Sequence, residues 1–578
     1  MPMASASGKL WITYNGEIYN YRELRKELQG YGYHFRSNTD TEVALYAYDK
    51  WGPDCLGRFN GMFALAIWDE EDQRLFLARD RLGIKPLYYY FDTASIIFAS
   101  EIKAILQDPA VSKELAPEGI LNYFTFGHSM APHTIFKNIR KLLPGHYMLC
   151  FPEGTRLRSE IRRYWAPPLP GHSEDAGEEY YCEEIRRLLG ESVRKQLISD
   201  VPLGVFLSGG LDSSIITGLM SSLHQSRVKT FSVGFSIGGK AYNELDDARL
   251  VARHFGTEHE EILLDENDLT QALPNLVYHY DEPFGDAASF PTYLLSKFAR
   301  KSITVSLSGE GGDEVFGGYR RYVVENFLAR YPVSLALLAN GTVRKTLSHL
   351  PMSGRWQKLM DVLGAPDAAE RYARWLTIFS PDMRAELFGE KLAQLEDFDP
   401  LDLYRRLYPR NGTQPVDRLL YVDQQTWLPD TYLEKADKAS MAASLEVRVP
   451  FLDHELVEFA ATIPAKYKVS GFSTKHILKK AFASQLPDRT LRKPKHGFAV
   501  PLDYWFVDKF GTLVQEILFD NKARSRGLFN QDYVKRLFRW HTEGRGHYHR
   551  QLWLLIVFEL WCQKILDHDN SAVAITRC

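Results

Sequence analysis

The chain reads as two units, an α+β unit of short antiparallel strands followed by an α/β unit on a parallel sheet with a helical C-terminal part. Three observations predict this. Short β-type runs separated by turn residues fill the first 165 residues. A strand–loop–helix alternation, the pattern of a parallel sheet covered on both faces, begins beyond residue 200. Between them the stretch 166–179 (APPLPGHSEDAGEE) concentrates proline, glycine and acid without hydrophobic periodicity, and reads as a linker. The expected division is 1–165, a linker at 166–179, and 180–578.

In the first unit, strands are expected at Leu10–Tyr14, Met62–Trp68, Arg74–Ala78 and Pro86–Phe91, with one helix at Tyr21–Leu28. In the second, Ile185, Leu188, Leu189, Val193 and Leu197 recur at helical spacing. An apolar strand then follows at Val201–Leu207, with further strands at Val228–Phe235, His259–Leu264 and Ile303–Leu307. Helices fall between them at Ser213–His224 and Asp246–Phe255, with two more before the last strand, and the pattern is helical from about residue 320. Ligands of such a sheet sit at the carboxyl ends of its strands.

Of the 578 residues, 45% are hydrophobic and 25% charged, a globular balance; 70 basic against 73 acidic groups, with no long basic block, give no electrostatic support for a nucleic-acid partner. Small-molecule substrates are expected instead. The five cysteines (Cys55, Cys150, Cys182, Cys562, Cys578) are scattered and never form CxxC, which argues against a disulfide framework and a structural zinc site and for a reducing compartment. The N-terminus lacks the apolar core of a signal peptide, and Leu552–Leu560 is short and interrupted by Glu559, so neither secretion nor a membrane is expected and the cytoplasm is the expected location.

The strongest chemical signal is Ser208-Gly209-Gly210-Leu211-Asp212-Ser213-Ser214, placed after one strand and before a helix. Glycines let backbone approach an anion, serines offer donors, and a helix N-terminus adds free N–H groups and a favourable dipole, so this is a phosphate cradle. It carries an aspartate where a Walker loop has lysine, which calls for a metal ion bridging Asp212 to phosphate oxygens. A second loop, Ser308-Gly309-Glu310-Gly311-Gly312-Asp313-Glu314, follows the strand ending at Leu307 and brings three more acids to the same sheet edge. A metallohydrolase reading fails, because no HExxH occurs among the 17 histidines.

With LEVRVPFLD added, these motifs resemble the synthetase domain of glutamine-dependent asparagine synthetases, of the ATP pyrophosphatase class. Upstream, NGEIYN from Asn15, TDTE from Thr39, GMFA from Gly61 and RDRLG from Arg79 resemble the class II glutaminase domain of the same family, an Ntn-type fold. The resemblance implies that aspartate and ATP give β-aspartyl-AMP and pyrophosphate, and that ammonia, free or from glutamine, then displaces AMP; many members are homodimers. Carried over by position, Leu207, Val233, Ser308 and Gly309 would hold adenosine, and Ser208, Gly209, Gly210, Asp212, Ser213 and Ser214 the pyrophosphate, with Asp212 and Asp313 as Mg²⁺ ligands. Glu310 would assist formation or capture of the intermediate, and Lys475 (alternatively Lys479) would stabilise charge at the α-phosphate. Glu446 and Arg448 read as a paired clamp.

In the first unit the resemblance implies that Asn15, Gly16, Glu17 and Asp40 hold glutamine. An isolated Asn-Gly would ordinarily be a hairpin turn. Class II glutaminases use an N-terminal cysteine whose thiolate attacks the amide, whereas residue 2 here is Pro2 and only fourteen residues precede Asn15. Cys55 lies in what reads as a buried helix end and is no substitute. The expectation is a sequence begun at an internal methionine, with strands lost from the first unit, against the alternative of a shortened, ammonia-dependent enzyme. Rival functions are a relative that adenylates another carboxylate and closes it with an internal amine, amidotransfer onto a saccharide, or a non-catalytic nucleotide-binding protein.

Overall fold

A computed structural model describes residues 2–169, 174–330 and 354–567, apart from positions 225, 238, 240, 241, 394, 396, 397, 410–412, 496 and 508. The first unit contains β1 (Met3–Ala4), β2 (Leu10–Ile18), β3 (Gly61–Asp69), β4 (Arg74–Arg79), β5 (Tyr88–Phe91), β6 (Ile96–Ala99), β7 (Ile139–Lys141), β8 (His146–Glu153) and β9 (Arg156–Arg163). Six form an antiparallel sheet in the order β1-β2-β3-β4-β8-β9, and three a second one, β6-β5-β7. Strand β3 shows why these are separate layers. Its residues alternate with period two, Phe63, Leu65 and Ile67 packing with Leu24, Leu28 and Val43 of two helices, and Ala64 and Ala66 with Leu87 and Tyr89 toward the smaller sheet.

Those helices are Tyr21–Gly30 and Asp40–Trp51, and a third spans Pro117–Phe126. The sequence patterns predict only the first. The second buries Thr41 through Tyr48 without a polar stripe, so helical periodicity is not visible in it. Strand β2 also runs past its expected end at Tyr14 to Ile18, so Asn15 and Gly16 lie in mid-strand opposite Ala64 and Phe63 instead of in a turn. Glycine is required there because a Cβ on Gly16 would sit 2.1 Å from the Met62 carbonyl oxygen.

The second unit is built on β10 (Leu203–Phe206), β11 (Lys229–Phe235), β12 (Glu258–Leu264), β13 (Val305–Leu307) and β14 (Glu446–Arg448), all parallel, in the order β12-β11-β10-β13-β14. From β10 the sheet grows one way through β11 and β12 and the other way through β13 and β14, so the order reverses between β10 and β13. That is the place where open α/β sheets leave a crevice for ligands. Strand β14 corrects the expectation of an entirely helical chain beyond residue 320. It is only three residues long and precedes Pro450, too little for a period-two signal.

Helices Glu178–Gln196, Leu211–Leu223 and Ser289–Ala299 cover this sheet, with Ile185, Leu189, Val205, Ile215, Phe231, Leu307 and Val447 in one core. The helix His549–Trp561 packs instead against the first unit, where the Tyr123 hydroxyl donates to the Leu554 carbonyl at 2.8 Å. Buried ion pairs join the units, including Lys85–Asp437 at 2.8 Å and Lys141–Glu282 at 3.3 Å. Among the described residues no helix is long and apolar enough to cross a membrane. Cys55, Cys150, Cys182 and Cys562 are free and buried, and Cys578 lies outside the described residues. Burial pushes the Cys55 thiol well up, which agrees with its place in the short helix Cys55–Arg58 and disfavours a thiolate.

Candidate functional site

The first glycine loop leaves β10 and enters the helix Leu211–Leu223. Gly209 has φ +68°, and a Cβ there would lie 2.5 Å from the Ala248 amide nitrogen, so only glycine lets this turn close against the neighbouring helix. The serines lock the turn. Ser213 Oγ lies 3.0 Å from Ser208 Oγ, and Ser214 Oγ donates to the Gly210 carbonyl at 2.7 Å. Ser214 and Gly209 therefore shape the loop from behind, whereas Ser208, Gly210, Asp212 and Ser213 line a cavity of about 940 Å³.

The second loop leaves β13 at Ser308, whose amide donates to the Arg448 carbonyl on β14 at 2.9 Å. It passes so close to the first that a Cβ on Gly309 would lie 2.8 Å from Asp212 Cβ, and one on Gly312 would lie 2.9 Å from Asp212 Oδ1. Glycine at these positions brings Asp212 and Asp313 to one point. Lys475 reaches between them, its ammonium bonded to Asp212 and 2.6 Å from Asp313 Oδ1. The lysine takes φ +50° just before the helix His476–Ala481, and Gly318 leaves the room it needs.

Burial raises both carboxyls. At Asp313 the ammonium groups of Lys475 and Lys495 overcome it and hold the group below the usual carboxylate range, while at Asp212 burial prevails over Lys475 and the charge of Asp313 adds to it. Glu310 lies 3.4 Å from Lys435 Nζ. Glu314, pushed up to about 8 by burial and the charge of Asp313, accepts from the Tyr319 hydroxyl.

Leu207, Val233, Ser308, Gly309, Glu310, Asp313 and Lys475 also line the cavity, so the residues singled out for nucleotide and catalysis are brought together, except Gly209 and Ser214. Lys479 lines it too, its pKa lowered by burial and by Lys475. Sequence reasoning missed Lys435, Lys493 and Lys495, which add positive charge to the walls. A single lysine in a helix or an irregular segment carries no signal of its own. Only the pairing of Lys435 with Glu310 and of Lys495 with Asp313 gives them away.

In the first unit, Asn15, Gly16 and Glu17 lie on β2, and Asp40 opens the helix Asp40–Trp51 beside them. Asp40 Oδ2 accepts the Ile18 amide at 3.0 Å and the Tyr14 hydroxyl at 2.6 Å, while Asn15 Nδ2 donates to Ser100 Oγ at 3.1 Å. Glu17, its pKa raised to about 7 by burial against the opposing pull of Arg448, lies 3.5 Å from that guanidinium. Arg448 also binds Glu446 at 2.7 Å, so the expected clamp exists and extends to the other unit.

Residues 184–563 match the family of asparagine synthases, and residues 1–165 match the glutamine amidotransferase domain. The chain belongs to the asparagine synthase family. Members of this family are carbon–nitrogen ligases, and the chain is one of them. It is 33% identical to asparagine synthetase [glutamine-hydrolyzing] 1 of Bacillus subtilis over 97% of this chain and 86% of that protein. It is 34% identical to a putative asparagine synthetase of Mycobacterium tuberculosis over 96% and 85% of the two chains. A putative asparagine synthetase of Methanocaldococcus jannaschii is 36% identical over 76% and 83%.

The phosphate chemistry expected at this edge calls for a divalent cation. Among the described residues no cluster of three or more His, Cys, Asp or Glu could hold a metal on its own. Asp212 Oδ1, however, is buried without a hydrogen-bond partner, and two carboxylates at one point suit a hard cation that takes its remaining ligands from phosphate and water. The donor set fits Mg²⁺ brought in with a nucleotide.

Proposed function

We propose that the cavity joins ATP and aspartate, and that ammonia then completes asparagine. In the first step an oxygen of the aspartate β-carboxylate attacks the α-phosphorus and pyrophosphate leaves. In the second, ammonia attacks the acyl carbon of β-aspartyl-AMP, AMP leaves with the bond electrons, and a proton passes to solvent. The observation that carries this reading is the convergence of two glycine loops, two aspartates and Lys475 at the switch point of a parallel sheet. Such a site acts by positioning and by stabilising charge on phosphoryl oxygens.

Within this reading Ser208, Gly210 and Ser213 and the N-terminus of the helix they open hold pyrophosphate. Leu207, Val233, Ser308 and Gly309 bound the adenosine, and Lys475 turns from the aspartates toward the α-phosphate. Mg²⁺, held by Asp212 and Asp313, would neutralise phosphate charge. Glu310, which lies 3.4 Å from Lys435 Nζ, takes part in the acyl step in this reading. Residues 1–165 form the glutamine amidotransferase-like domain, 166–179 the linker and 180–578 the synthetase domain. Asn15, Gly16, Glu17 and Asp40 are the glutamine contacts, and ammonia is the alternative nitrogen source.

The test is AMP and pyrophosphate release from ATP and Mg²⁺, with ammonium or glutamine supplied in parallel and asparagine quantified. Asparagine formed only when aspartate is present supports the reading. Absence of aspartate-dependent pyrophosphate with either nitrogen source overturns it.

A further inference from the structure

In the reaction proposed above, aspartate brings two carboxylates into the cavity and one of them reacts. The α-carboxylate stays charged through both steps, and a charge taken out of water must meet a partner. Several cations of the wall are already committed. Lys475 and Lys495 bind the aspartates of the two loops, Lys435 lies 3.4 Å from Glu310, Lys493 is 2.7 Å from Glu244 Oε1, and Arg489 is 2.6 Å from Asp247 Oδ1. Lys479 lies one helical turn beyond Lys475, at the phosphate end. Arg321 is held differently. It stands in the first turn of the helix Arg320–Arg330, three residues after the Gly318 that makes room for Lys475, and it lines the same cavity.

One edge of its guanidinium is occupied from behind. Nε donates to the Tyr372 hydroxyl at 2.9 Å and Nη2 to Asp423 Oδ2 at 2.9 Å, and Asp423 is itself buried and fixed by the hydroxyls of Tyr322 and Tyr372. The guanidinium carbon lies 4.0 Å from the centre of the Tyr319 ring. These contacts set the plane of the fork and leave its end to the cavity: Nη1 has no hydrogen-bond partner among the described residues, and the side chain is 15% exposed. A guanidinium fixed in this way is pre-organised for a carboxylate, as a flexible ammonium is not. The same wall continues through the stacked rings of Tyr319 and Tyr432 to Lys435 and so to Glu310, the residue of the acyl step. We infer that Arg321 binds the α-carboxylate of the amino-acid substrate, and so selects an acid with a second carboxylate over one that lacks it. This rests on the adenylation reading given above.

If Arg321 serves only to neutralise Asp423, its loss weakens the fold and lowers turnover without regard to substrate. Initial rates of AMP formation by the full chain, with aspartate and ATP varied in turn, separate the two roles. Arg321→Lys keeps a charge beside Asp423 but loses the planar fork. It is expected to raise the KM of aspartate by about tenfold or more, the scale of one charge-assisted hydrogen bond, with the KM of ATP within about threefold and the Tm near that of the parent. Arg321→Met combined with Asp423→Asn, which strands no buried charge, carries the same expectation should the lysine variant not fold. β-Alanine is aspartate without its α-carboxylate; its kcat/KM should stay within about threefold, so that the preference for aspartate falls about tenfold. An aspartate KM within about threefold of the parent in either variant overturns the inference, and so does an equal rise for ATP or an equal loss with β-alanine. A parent protein that forms no AMP with aspartate overturns the adenylation reading itself, whatever the variants do.

Discussion

The two units hold their carboxylates in opposite ways. At the sheet edge Asp212 and Asp313 are matched by the ammonium groups of two long side chains, and Asp212 Oδ1 has no hydrogen-bond partner at all. In the first unit Asp40 is taken up by the Ile18 amide and the Tyr14 hydroxyl, and Glu42 by the Arg36 and Ser37 amides and the Ser37 hydroxyl. A lysine on a long flexible stem can exchange one anionic partner for another without disturbing the backbone. A backbone amide cannot leave without unmaking the strand end or turn that presents it. The first arrangement is built for exchange and the second for holding backbone in place. Of the first unit's candidate site carboxylates, Glu17 differs from Asp40, being partly exposed and paired only loosely with Arg448.

The largest effect that would break this comparison is expected at the exchangeable pair. Asp212→Ala and Lys475→Ala should each lower aspartate-dependent AMP formation by about a thousandfold or more while leaving the circular dichroism spectrum intact. Turnover near the parent rate in either variant would remove the assignment. Arg448 is next, because its side chain is 2% exposed and binds Glu446, Glu17 and the carbonyls of Gln196 and Ile198. Arg448→Ala leaves those partners bare and should destabilise the fold by about 3–5 kcal/mol in denaturant titration.

Glu314 sharpens the comparison through pH. Its carboxyl is raised to about 8 in the fold, so the stability it contributes is complete below the ordinary carboxylate value near 4.5 and is lost as pH rises through 8. Glu314→Gln, a neutral isostere, should therefore gain Tm over the parent between pH 5 and pH 8.5; a constant difference across that range would contradict the buried, raised carboxyl. The smallest effect belongs to Asp40→Asn. It should lower stability by about 1–2 kcal/mol through weakened bonds to Ile18 and Tyr14, and leave ammonium-dependent AMP formation within about twofold of the parent. A large loss of that activity would mean that the two units are not as separable as their bonding suggests.

Much of this was legible in the residues, for reasons that particular elements make plain. Strands β10, β11 and β13 announce themselves because buried parallel strands are short apolar runs between helices, and the two glycine loops follow β10 and β13 directly. The helix Asp40–Trp51 was hidden because both its faces are buried. Asn15-Gly16 reads as a turn in isolation, and only the approach of Met62 explains why it is mid-strand. Lys435 and Lys495 were invisible because their meaning lies in the carboxylate they meet, 125 and 182 residues away in the chain. What sequence pattern reports is local periodicity and local motif, and a cavity wall assembled from distant segments has neither.

Strand β14 has a consequence for how the molecule is made. Its Arg448 carbonyl receives the Ser308 amide, so the second glycine loop gains its sheet neighbour only from residues 446–448, some 140 positions later. During synthesis, at about 5–20 residues per second, this edge remains unpaired for about 7–28 seconds after β13 emerges, and Lys475 and Lys495 arrive later still. The antiparallel unit, by contrast, has its nine described strands before residue 164. The nascent chain therefore carries the paired strands of the first unit while its ligase cavity is still an open row of backbone donors and acidic side chains, and that interval is when a chaperone would matter most.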